Sequence, residues 1–110
     1  MDIQNMGDLL RNAQKIRKQM EVVQKELKDR VVEGKAGDGL VSVLVNGQQD
    51  VVKLTIDPKV VSSDADDIEL LEDLIQAAIA QGMEKSRELK NTEINKATGG
   101  YGESLSGLFF

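Results

Sequence analysis

The sequence predicts an α+β fold in which a helix, a three-stranded antiparallel β-meander and a second, long helix follow one another. Three observations predict it. Apolar residues recur at helical spacing over residues 6–27, apolar side chains alternate on either side of an Asn-Gly reversal at residue 46, and helical spacing returns after residue 64.

In the first segment Met6, Leu9, Ala13, Ile16, Met20, Val23 and Leu27 follow one another at alternating intervals of three and four, a seam of period 3.5. The expected helix runs from about Asn5 to Asp29, with Asn5 as N-cap and Asp8 in an acidic first turn that suits the macrodipole. At ~1.5 Å per residue it reaches roughly 35 Å, more than a small three-stranded sheet covers, so part of it should project beyond the sheet. So narrow a seam fits a dimer or coiled-coil contact, and it fits packing on the sheet and the second helix equally well. Away from the seam Arg11, Lys15, Lys18 and Lys25 form one stripe, flanked by Arg17 and Lys28. These six cations face only two acids, Glu21 and Glu26, between residues 9 and 28, a local excess of about +4. A basic stripe can be a solvated face and no more; if it binds anything, a polyanion is the ligand its charge selects.

The meander centres on residues 34–58. Val41, Val43 and Val45 form one alternating run and Val52, Leu54 and Ile56 the other, with Asn46-Gly47 to supply the positive-φ positions of the reversal. A loop of Asn46 to Gln49 sets Val43 opposite Val52 and Val41 opposite Leu54, whereas a two-residue turn would set Asp50 against Val43. Val31-Val32 within residues 30–34 is the third strand, folded back by Gly37-Asp38-Gly39. Asp57-Pro58 ends the meander, because proline has no N–H for a ladder.

Ser62, Ser63 and Asp64 are three successive candidate N-caps for the second helix. Six acidic and no basic residues lie between Asp64 and Asp73, where a helix start favours negative charge. Ile68, Leu71, Ile75, Ala78, Ile79, Met83 and Leu89 give an apolar face through Lys90, with fraying expected beyond Thr92. Ala77, Ala78, Ala80 and Gly82 remove bulk and let another backbone come close, as core packing or as a ligand groove. Lys85, Arg87, Lys90 and Lys96 suit the negative end of the helix dipole and equally could extend a polyanion surface. The reading is one domain over residues 1–97 and a flexible Gly/Ser-rich tail over 98–110, whose apolar end, Leu108-Phe109-Phe110, is suited to dock on a partner subunit or another protein.

Composition narrows the function classes. Cysteine and histidine are absent, which removes thiolate nucleophiles, the usual zinc sites, disulfides and the commonest neutral-pH base. Asp64, Asp66 and Asp67 lack the glycine and the glutamate of a calcium loop, and no serine has a base partner, so neither a metal site nor catalysis is expected. No run approaches the ~18 apolar residues of a membrane span. With two Phe, one Tyr and no Trp the core must be thin, and a homo-oligomer is expected.

The order of elements, with Asn5-Met6-Gly7 and Ala13-Gln14-Lys15 at the start, Gly39-Leu40-Val41-x-Val43 and Asn46-Gly47 in the sheet, Ile56-Asp57-Pro58 closing it, and Glu72-Asp73-Leu74 with Ala77-Ala78 on the second helix, resembles the YbaB/EbfC family of bacterial nucleoid-associated proteins. The resemblance implies a homodimer whose helices project like tweezers. It further implies cytoplasmic, nucleoid-associated binding of double-stranded DNA with low sequence specificity, in nucleoid organisation and gene regulation, and no cofactor. Arg11, Lys15, Arg17, Lys18, Lys25 and Lys28 are then the expected DNA contacts. A protein-binding adaptor or holdase-like chaperone, with weak or no DNA binding, is the alternative.

Overall fold

A computed structural model describes residues 3–99 of the chain, with side chains from Met6 onward. Helix α1 (Ile3–Asp29) leads into strands β1 (Val31–Ala36), β2 (Val41–Asn46) and β3 (Val51–Ile56), a 3₁₀ turn at Pro58–Val60 and helix α2 (Ala65–Thr98). The predicted order of elements holds. The contacts group into two compact units, residues 27–90 and the described parts of 1–26 with 91–110.

In the unit of residues 27–90 the sheet order is β1-β2-β3 and both pairings are antiparallel. Val32, Gly34 and Ala36 pair with Val45, Val43 and Val41, so these residues share one face of the sheet. Val41, Val43, Val45 and Ala78 of α2 are fully buried on that face, with Leu71, Leu74, Ile75, Ile79 and Met83 packed around them. The helix reaches β1 as well. A Cβ built on Gly34 would fall inside van der Waals distance of Ala78 O and Gly82 N, and 2.9 Å from Gly82 Cα. Ala78 and Gly82 of α2 therefore serve core packing, with a glycine of β1 as the backbone that comes close, whereas Ala77 and Ala80 are exposed.

The β2–β3 register differs from the expected one by two residues. Val43 lies opposite Leu54 and Val41 opposite Ile56, and an irregularity after Leu44 brings Val51, in place of Val52, opposite Val45. The cause is the side chain of Asn46, whose Oδ1 accepts from the N–H of Gln48 at 2.9 Å and of Asp50 at 3.0 Å, wrapping the loop around itself. Asn46 thus stays in β2, and the loop shifts to residues 47–50. The positive φ also falls elsewhere, at Gln49 (65°) and not at Asn46 or Gly47. Gly47 is needed for closeness instead: its N–H donates to the carbonyls of Leu27 (2.8 Å) and Arg30 (2.9 Å), and a Cβ there would lie 2.7 Å from Leu27 O.

The two edges of the sheet are treated differently. Along β1, Lys85 Nζ donates to Glu33 O at 2.8 Å and Gln81 Oε1 accepts from Lys35 N at 2.7 Å, so α2 occupies the edge with polar side chains. Ser86 Oγ, fully buried, donates to Asn46 O at 2.6 Å. Along β3 no hydrogen bond from the described residues reaches the outer edge. Leu54 shares the face of Val43 yet is 43% exposed, and Val51 and Val52 are exposed too. α2 covers β1 and β2 and leaves β3 bare.

Both helix starts depart from expectation in detail. α1 begins at Ile3, so Asn5 lies inside the helix and is not its cap, and its first turn holds no acid. For α2 the cap is Asp64, whose Oδ1 accepts from Asp66 N at 2.9 Å and whose carbonyl accepts from Ile68 N at 3.0 Å. Asp57-Pro58 closes the meander as predicted, with Asp57 Oδ1 accepting from Lys59 N.

The unit of 1–26 with 91–110 holds most of α1 and the end of α2. Met20 and Val23 are buried on α1 and Ile94 and Thr98 on α2, so α2 continues in order to Thr98 where fraying was expected beyond Thr92. On α1 the apolar seam is covered only in its later part, and Met6, Leu9 and Leu10 are more than half exposed. Of the tail predicted over residues 98–110, Thr98 is the last residue of α2, and residues 100–110 lie outside the described residues.

Candidate nucleic-acid interface

All six predicted cations, Arg11, Lys15, Arg17, Lys18, Lys25 and Lys28, fall on α1, and all are exposed. Helical geometry explains why. At about 100° per residue Arg11, Lys15, Lys18 and Lys25 fall within a sector of roughly 80°, opposite the one that holds Met20 and Val23. Burying those two apolar side chains turns the cations to water. Arg17 flanks the stripe, and Lys28 sits in the last turn of α1, in the unit of residues 27–90.

Arg11 is engaged by Asp8 at 2.5 Å, with both side chains largely exposed. An exposed pair of this kind contributes at most about 1 kcal/mol and gives way readily to another anion. Among the described residues no hydrogen bond or ion pair engages the side chains of Lys15, Arg17, Lys18, Lys25 or Lys28. The cations late in α2 are in a different condition. Lys85 donates to Glu33 O, Arg87 pairs with Glu84 at 2.6 Å and Lys96 with Glu93 at 3.4 Å, and Lys90 is engaged too. Of the two basic regions that could meet a polyanion, α1 is the one whose charges, Arg11 apart, are uncommitted.

The acidic residues that make the chain net −5 are concentrated at the start of α2, where Asp64 caps the helix and Asp66 and Asp67 occupy its first turn. Their exposure and their place at the positive end of a helix dipole account for them without a ligand. No group of carboxylates among the described residues is gathered closely enough to hold a metal ion. No helix among them is long and apolar enough to cross a membrane.

From Arg11 to Lys25 the stripe extends about 20 Å along the helix, enough to meet many charges of a duplex, which presents one per ~1.7 Å. Residues 3–99 contain no aromatic side chain, so that part of the chain has nothing on which a base could stack. The arrangement suits contacts to phosphates.

Comparison with known proteins gives a consistent picture. The model of the YbaB/EbfC DNA-binding family matches residues 1–101. A nucleoid-associated protein of Acetivibrio thermocellus is 46% identical over 105 residues, covering 96% of this chain and 90% of its own. One from Chlorobaculum tepidum is 40% identical over 100 residues, covering 91% and 86%. Among solved structures, that of an uncharacterized protein from Helicobacter pylori superposes with a TM-score of 0.66 at 27% identity, covering 84% of this chain and 91% of that one.

Proposed function

Because the chain belongs to the YbaB/EbfC DNA-binding family, we propose that it binds double-stranded DNA as a homodimer with little sequence preference, through phosphate contacts from Arg11, Lys15, Arg17, Lys18, Lys25 and Lys28. The observation that carries this reading is the row of exposed cations on α1, of which Lys15, Arg17, Lys18, Lys25 and Lys28 are unengaged among the described residues. Its role is to hold and organise DNA, without catalysis, in the cytoplasm and on the nucleoid, with consequences for gene regulation. The names of its relatives support the nucleoid.

The homodimer uses the bare side of β3. That strand has an open edge and exposed apolar side chains on the face that α2 covers elsewhere, a combination that isolated domains usually blunt. A second copy would cover both features at once, since an isologous contact sets the same strand against itself. Leu54→Glu should therefore give a folded monomer: sedimentation velocity would show the mass halved, with the circular dichroism of the parent, because Leu54 is already 43% exposed in the single chain. A variant that stays dimeric would place the contact elsewhere.

The test of the function is fluorescence anisotropy of a random-sequence duplex titrated with protein at several salt concentrations. Binding at micromolar concentration or tighter, with log K falling by about 0.9 per phosphate contact for each tenfold rise in salt, is the expected result. No binding at low salt would reject the DNA reading and turn attention to a protein partner.

A further inference from the structure

In the unit of 1–26 with 91–110, Lys18, Gln19, Val22 and Val23 of α1 and Lys96 and Ala97 of α2 line an open groove of about 350 Å³. Val23 is nearly buried beneath it, while Val22 is left 55% exposed at its side. Lys18 and Lys96 make the rim cationic. We propose that residues 100–110 of the same chain fold back into this groove, their apolar side chains against Val22, Val23 and Ala97 and Glu103 toward the two lysines.

Three features support that occupant over any other. First, the segment begins at the groove's edge, since Ala97 lines the groove and the described chain leaves α2 two residues later at Gly99. The φ of Gly99 is +65°, the left-handed cap that stops a helix and turns the chain off its axis. Second, the chemistry is complementary. Residues 100–110 carry Leu105, Leu108, Phe109 and Phe110, one acid and no base. Third, eleven residues reach at most about 35–40 Å, so every point of the groove is accessible, and a tether this short raises the effective concentration to the millimolar range. A modest intrinsic affinity then suffices.

An exposed pair between Glu103 and Lys18 gives way readily to another anion, so the docked segment leaves Lys18 available to a polyanion. The docking itself does not rest on DNA binding, and its test uses none. Tyr101 is the only tyrosine and there is no tryptophan, so intrinsic fluorescence reports on this segment alone. Acrylamide quenching of Tyr101 should be about threefold weaker in the full chain than in a synthetic peptide of residues 100–110, in keeping with the 70–90% burial that a groove ligand reaches. Val22→Glu should restore quenching to the peptide's level. A double variant, Phe109→Ser with Phe110→Ser, should do the same without touching the groove. Equal quenching in the full chain and both variants would overturn the proposal. Protection that rises with protein concentration would also overturn it, because the groove would then hold the segment of a second copy.

Discussion

Gly34→Ala should lower the stability of the unit of residues 27–90 by about 3 kcal/mol or more, a result opposite in sign to the one expected from local preference. A glycine inside a strand costs about 0.5–1 kcal/mol relative to alanine, so preference alone makes the substitution favourable. Packing decides otherwise. The new Cβ would meet the carbonyl oxygen of Ala78, the N–H of Gly82 and, at 2.9 Å, the Cα of Gly82, all backbone atoms that cannot step aside as a side-chain tip can. Relief requires α2 to lift from β1. That movement would loosen the packing of Leu71, Leu74, Ile75 and Met83 on the fully buried Val41, Val43 and Val45. It would also stretch the bonds from Lys85 to Glu33 O and from Lys35 N to Gln81. Overpacking a well-filled core costs roughly 1–3 kcal/mol even where side chains can yield, and this site has none that do. At about 4–8 °C per kcal/mol for a domain of this size, the melting temperature should fall by roughly 12–25 °C. Thermal and urea unfolding followed by circular dichroism would measure it. A variant as stable as the parent would mean that β1 and α2 do not touch at Gly34.

Gly34 also marks where sequence reading stops. The helices and β2 were legible because each buries one face, and a buried face leaves a period in the chain, 3.5 in α1 and two in β2; β3 carries the same alternation although its apolar face is exposed in the single chain. Asp57-Pro58 and Asp64 were legible because strand ends and helix caps use few residue types. The register of β3 was not, since it depends on Asn46 bonding to Gln48 and Asp50, and both candidate registers put apolar residues on the same face. Gly34, Gly47 and Gly82 carry no local signal that separates a turn glycine from one pressed against another backbone, although the alanine-rich stretch of α2 announced the close approach from the other side. The end of α2 was missed because Thr98 is buried as a polar residue, bonded to Ile94 O, and so breaks the apolar period it continues. The basic stripe could be read from spacing alone. That its lysines are unengaged while the cations of late α2 are committed could not, because pairing on a helix surface depends on rotamers.

That difference sets the strongest functional prediction. Replacing Lys15, Lys18 and Lys25 together by glutamine should weaken duplex binding on every sequence alike and make the salt dependence shallower by about 2.7 in log–log slope, 0.9 for each contact removed. Such a change in slope means that the ratio of parent to variant affinity grows about 40-fold between 200 and 50 mM salt. The three lysines have no partner among the described residues, so their loss strands no carboxylate, and their exposure makes a folding defect the wrong explanation for a binding loss. Arg11→Gln is the internal comparison. Arg11 starts from its pair with Asp8, so part of its gain on meeting a phosphate is offset by the contact given up, and removing it leaves Asp8 facing the DNA. Its effect should be similar in slope to one lysine but different in intercept. A second comparison separates the stripe from net charge: Lys35, Lys53 and Lys59, exposed in the unit of residues 27–90, changed to glutamine together shift the total by the same three charges. If phosphates are held by α1, that variant keeps the parent's slope. Equal losses in the two triple variants would mean that the overall field governs binding, and the contacts assigned to Lys15, Lys18 and Lys25 would have to be withdrawn.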